Sequence, residues 1–142
     1  MTISSANILG LRQSKMHWSV NYLGIPYVEG ACGETACDCW GLVRMVFQKE
    51  RGYELPEVTV GKTIDNTPAI RACMDEWKAA DDYKEYDAVT MRNALGHHIG
   101  VVAKVEGEIV YILHCNEPFS SIMKLSDLQR IGYKDFRIWR HG

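Results

Sequence analysis

Cys39 stands at the head of the segment Asp38-Cys39-Trp40-Gly41-Leu42-Val43-Arg44, and His98 opens an apolar run 59 positions later. The apolar side chains Trp40, Leu42, Val43, Val46 and Phe47 recur at helical spacing, while Arg44, Gln48 and Lys49 occupy the polar face. Gly52 is a natural C′ residue, so the spacing predicts a helix from about Asp38 to Gly52 with a thiol in its first turn. Beyond residue 87 the period changes. Runs rich in Val, Ile and Tyr at 87–92, 98–105, 108–114 and 133–139 are separated by Asn93-Ala94-Leu95-Gly96, by Glu106-Gly107 and by a polar stretch near Glu117-Pro118. That pattern predicts antiparallel strands joined by short turns, with one helical turn at Ser126–Arg130 before the last strand. Helices first and strands afterwards define an α+β fold, with N-terminal helices packed on an antiparallel sheet.

Two further helices are expected in the first half. Met16, Trp18, Val20, Tyr22 and Leu23 suggest a short one that stops at Gly24 and Pro26, and residues 27–37, with two glycines and no period, read as a loop. Thr67-Pro68 is a good N-cap and N1 pair for a helix running to about Ala80, with Ile70, Cys73, Met74 and Trp77 on its buried side. With 142 residues the chain suits a single domain over 1–142 with one hydrophobic core. A net charge of −2, with Lys and Arg scattered, gives no reason to expect a nucleic-acid partner. The longest apolar stretches fall far short of the roughly 20 residues of a membrane helix, so no membrane partner is expected. Met1-Thr2-Ile3-Ser4-Ser5 lacks a basic leader and an apolar core, so no signal peptide is expected and the chain should be cytoplasmic when synthesised. Five cysteines, an odd number without an export signal, favour reduced thiols over a disulfide framework.

Among those thiols Cys39 differs by its position. The first turn of a helix presents unpaired N–H groups and the positive end of the macrodipole, and both favour a thiolate. Asp38 is the N-cap candidate that fixes where the helix begins, and the glycine-containing loop before it brings backbone donors close enough to serve as an oxyanion hole. A base comes from the strand half. On the strand from 98, alternation puts His98, Gly100, Val102 and Lys104 on one side and turns His97 away. Pairing through Glu106-Gly107 sets positions summing to about 213 opposite one another, which brings His98 near His114 or Cys115. One imidazole can then act as base while the other holds its ring in the useful tautomer.

These segments resemble those of the NlpC/P60 cysteine peptidases. Pro26-Tyr27-Val28-Glu29-Gly30 is similar to the family's Pro-Tyr-x-x-Gly, Asp38-Cys39-Trp40-Gly41-Leu42-Val43 to its nucleophile motif, Glu85-Tyr86-Asp87-Ala88-Val89 to its Gly-Asp-x-Val strand, His98-Ile99-Gly100-Val101 to its His-Val-Gly strand, and Ile112-Leu113-His114 to the Ile-His that follows. The resemblance covers about Tyr22 to Cys115 in the family's order, and the Trp after the nucleophile with Leu-Val-Arg next is most like the subgroup of phage tail-tip and gene-transfer-agent clusters. It implies a papain-like fold, with Cys39 as nucleophile, His98 as base, His114 orienting it, and the Tyr27 hydroxyl beside the thiol and near the substrate; Asp38 and Trp40, the latter a packing residue whose indole can also narrow the cleft, complete the expected substrate-binding set. It implies cleavage of an amide in the peptidoglycan stem peptide, no cofactor and no metal, phage tail-tip proteins as further partners, and a virion tail-associated place of action. The sequence departs from the pattern in Gly30-Ala31, where the family has Gly-Gly, and in Tyr86, where it has Gly.

Three rival readings carry different expectations. A zinc site of Cys32, Cys37, Cys39 and a histidine fits poorly, because Cys-x4-Cys and Cys-x-Cys are not the usual knuckle spacings. A structural tail-assembly protein that keeps the fold without turnover is the main alternative, and the competent residues at all three catalytic positions argue against it. A redox module lacks its Cys-x-x-Cys and its alternating strands and helices.

Overall fold

The computed structural model describes residues 17–57 and 76–142. A 3₁₀ helix at Trp18–Tyr22 is capped by the His17 ring, which accepts from Ser19 N–H. Helix α1 follows at Cys39–Arg51 and ends at Gly52, whose φ of 65° lets the chain turn out of the helix. Tyr53 N–H then reaches back to Phe47 O at 3.0 Å, and Lys49 and Arg51 face the negative end of the helix dipole. Strands β1 (Trp77–Ala80), β2 (Ala88–Asn93), β3 (Gly96–Glu106), β4 (Ile109–Cys115) and β5 (Ser120–Lys124) precede helix α2 (Leu125–Arg130) and strand β6 (Lys134–His141).

The six strands form one sheet in the order β1-β6-β2-β3-β4-β5, every pairing antiparallel. The architecture is the α+β fold expected, with helices against an antiparallel sheet. Alternation along the strands divides the core in two. Ala88, Ile99, Val101, Ala103, Leu113 and Cys115 pack with Trp40, Leu42, Val43, Val46 and Phe47 of α1. On the other face Val89, Met91, Val102, Val110 and Ile112 pack with Leu128 of α2 and Tyr133.

Two elements differ from the sequence reading. Trp77–Ala80, expected to end a helix, is strand β1, paired with β6 in the register Trp77↔His141. Trp77 is buried as expected, but edge-on to Phe47 of α1 at 4.8 Å, and the partner strand that claims it lies some 60 residues away in sequence. The rest of that expected helix, with Cys73, lies outside the described residues. Strand β5 occupies Ser120–Lys124, where the sequence predicts no strand beyond the polar stretch near Glu117-Pro118. It forms because β4 offers it a free edge and because Ser120 ties the chain in: Ser120 Oγ accepts from Ile25 N–H at 2.8 Å and donates to Tyr22 O at 2.5 Å.

That tie positions the loop before α1. Residues 24–27 run along the start of β5, with Gly24 N–H on Ser120 O and Tyr27 N–H on Pro118 O. Tyr27 then bridges Cys37, and the chain arrives at Cys39 with both sides fixed.

Candidate active site

Asp38 builds the start of α1. Its Oδ1 accepts from Gly41 N–H at 2.6 Å, the bond of an N-cap, and its Oδ2 accepts from Gly30 N–H at 2.8 Å. One carboxylate therefore fastens the helix to the loop, and Asp38 N–H bonds Ala31 O at 3.0 Å. The fit explains the glycine of the motif, because a Cβ on Gly41 would lie 2.1 Å from that same Ala31 oxygen.

Cys39 is only 6% exposed, and the N–H groups of Ile99 and Trp40 both bear on its sulfur, favouring the anion. The Ile99 contact sets the thiol against the His98–Ile99 peptide, joining the helix start to the strand that carries the histidine. The expectation that the helix terminus ionises the thiol is nevertheless corrected here. Burial, helped by the Asp38 charge, pushes the Cys39 thiol up to about 12, more than the two N–H groups lower it.

His98 and His114 meet as their strands predict. The register pairs Gly100 with His114, a sum of 214 in place of about 213, so His98 lies diagonally across from His114 with both rings on one face. His98 Nε2 and His114 Nδ1 are 2.9 Å apart, the rings nearly perpendicular. The directly opposing residue has to be small: a Cβ on Gly100 would lie 2.9 Å from Leu113 O and 3.2 Å from His114 Cβ. Burial, and the other ring for His98, lowers His98 to about 3 and His114 to about 4, so both are neutral at pH 7. In one tautomer His98 Nε2–H donates to His114 Nδ1 and leaves His98 Nδ1 with a lone pair. That is the form able to take a proton from a thiol.

The remaining expected residues divide. Tyr27 lies within electrostatic reach of Cys39, and burial followed by the Cys39 charge raises its phenol. Asp38 and Trp40, expected to meet substrate, do not present themselves to it. Asp38 is 3% exposed with both oxygens engaged, and Trp40 is 1% exposed with its indole N–H on Pro56 O at 3.0 Å. Their register in the helix turns them inward, so they hold the site's frame. Of the cysteines considered for zinc, Cys32 donates to Gly41 O, and Cys37 is a free thiol whose carbonyl accepts from Cys115 Sγ at 3.3 Å. Among the described residues no three His, Cys, Asp or Glu side chains converge as a ligand set. Sequence reading missed Tyr133, which stacks on His98; it falls at a strand start with no motif to single it out.

A helix-borne thiol held against the peptide of a strand-borne histidine, itself paired with a second imidazole, is an arrangement suited to nucleophilic attack on a carbonyl. The family model of the NlpC/P60 family matches residues 24–128, which takes in Cys39, His98 and His114, and the chain belongs to that family. Among solved structures it is similar to the NlpC/p60 domain of the peptidoglycan hydrolase SagA, with 19% identity, a TM-score of 0.57, and coverage of 84% of this chain and 91% of that one. Comparison with curated proteins gives no match.

Proposed function

We propose that this chain is a cysteine peptidase that cleaves an amide bond in the peptide stem of peptidoglycan. The observation that carries the reading is the 2.9 Å His98–His114 pair beside the peptide against which the Cys39 thiol is held. Family membership and the likeness to a domain of a peptidoglycan hydrolase support the substrate class.

Cys39 is the nucleophile, His98 the base and His114 the residue that orients it. Thiol and imidazole both rest neutral, so proton transfer to His98 accompanies attack on the amide carbon instead of preceding it. N–H groups at the start of α1 stabilise the oxyanion, protonated His98 gives its proton to the leaving amine, and water releases the acyl group. No cofactor or metal enters these steps. Residues 1–142 act as one catalytic domain, and Tyr27 directs its hydroxyl to the substrate beside the thiol.

The finer assignment is to the phage tail and gene-transfer-agent subgroup, on the Trp40 and Leu42-Val43-Arg44 signature. The protein would be made in the cytoplasm and act from a virion tail, with tail-tip proteins as partners. One observation favours the alternative of a tail-assembly protein without turnover, namely the near-complete burial of a protonated Cys39. Mass spectrometry of muropeptides after incubation with the protein and with Cys39→Ala decides between them. Cleaved stem peptides from the wild type alone are expected; identical muropeptide profiles from both proteins would reject the peptidase.

A further inference from the structure

We infer that Tyr133, clamped by Asn116, is a positioning residue that sets the plane of the His98 imidazole. The catalytic consequence rests on the peptidase reading above; the positioning itself stands on geometry. His114 holds His98 only at its edge, through one hydrogen bond about which the ring can still tilt. Tyr133 covers the face. The two rings stack at 5.3 Å with an interplanar angle of 27°, while His114 meets His98 at 86°. An imidazole held on an edge and on a face keeps its second nitrogen in a fixed direction.

Tyr133 is itself immobilised. It is 5% exposed, and its N–H bonds Leu128 O at 3.1 Å at the end of α2. Its hydroxyl accepts from Asn116 Nδ2 at 2.8 Å. The Asn116 amide has a defined orientation, because its Oδ1 accepts from Glu117 N–H at 2.9 Å and so turns the nitrogen to the phenol. Asn116 follows two residues after His114, so one strand end supplies both restraints on His98, directly through His114 and indirectly through Tyr133. None of these contacts is implied by the motifs that carry the nucleophile and the histidines.

Misplacement of a reacting group by about 1 Å can cost on the order of a hundredfold in rate. Tyr133→Leu removes the aromatic face, Tyr133→Phe keeps it and loses the Asn116 bond, and Asn116→Ala loosens the ring while leaving it in place. With purified muropeptides, Tyr133→Leu is expected to lower kcat about tenfold or more with KM changed less than about threefold, and Tyr133→Phe to restore most of the loss. The acidic limb of the kcat profile should move to higher pH in Tyr133→Leu, because an uncovered imidazole protonates more readily. Side-chain NMR of His98 reads the same geometry without turnover: its ring-carbon protons should lose their upfield ring-current shift in Tyr133→Leu and shift partway in both Tyr133→Phe and Asn116→Ala, which break the same hydrogen bond.

Wild-type kcat and an unmoved acidic limb in Tyr133→Leu would overturn the inference, as would equal losses in the Leu and Phe variants. Should Tyr133→Leu fail to fold, unchanged His98 resonances in Asn116→Ala overturn it and displaced ones uphold it. If the wild type releases no muropeptide, the peptidase reading fails, and the NMR arm alone decides whether Tyr133 positions the ring.

Discussion

A thiol at a helix start is pulled in two directions. The Ile99 and Trp40 N–H groups lower the Cys39 pKa, while near-total burial and the Asp38 carboxylate raise it, and burial wins. Alkylation by iodoacetamide, followed at Cys39 by peptide mapping to separate it from the exposed Cys32, tests the balance. The attacking species is the thiolate, whose fraction grows tenfold per pH unit below the pKa. The rate at Cys39 should therefore keep climbing through pH 9 to 10, with no plateau near the free-thiol value of about 8.5. A plateau below that value would mean that the thiol is already ionised at rest, as its sequence position alone suggests. Tyr86 shows a different balance at the residue scale. It takes the place of the family's glycine at φ 74°, a conformation that costs an L-residue about 1–2 kcal/mol. Its ring stacks on Trp18 at 4.7 Å and carries the Arg51 guanidinium at 4.7 Å, contacts that offset the strain.

At the scale of elements, buried carboxylates join segments that hydrogen bonding within each would leave separate. Asp87, just before β2, is bound through both oxygens by Arg140 of β6, at 2.9 and 2.7 Å, and accepts from Lys84 N–H. Asp38 does the same for loop and helix. Removing it in Asp38→Ala orphans the Gly30 and Gly41 N–H groups together, and the expected loss is about 2–3 kcal/mol by urea denaturation. Asp38→Asn keeps the cap oxygen for Gly41 and should lose about half as much. Equal stability of Asp38→Ala and wild type would show that the loop and helix are held by packing alone. Activity should fall with stability in the alanine variant, since Cys39 is the next residue and its position is set by that cap.

Across the whole molecule, the two buried imidazoles couple stability to pH. Unfolded histidine takes up a proton below about pH 6.5, whereas folded His98 and His114 stay neutral down to about 3 and 4. The unfolded state thus binds more protons in that window, and stability falls as pH drops from about 6.5 toward 4, by up to about 1.4 kcal/mol per pH unit for each ring. Urea titrations at pH 7, 6 and 5 should show the decline, and His114→Asn should flatten it; a His114→Asn protein with the wild-type slope would remove His114 from the account. Much of this molecule was legible in its sequence. The period of the Trp40–Phe47 stripe, the Asp38 cap, the Gly52 stop, four of the strands and the nearness of His98 to His114 all follow from local rules, because helical spacing and strand alternation depend only on near neighbours. Strands β1 and β5 did not follow, since a short edge strand is defined by the partner that pairs with it and not by its own residues. The protonated state of Cys39 and the stacking of Tyr133 on His98 were decided by tertiary structure for the same reason: burial and contact between distant segments come into being only when the chain has closed on itself.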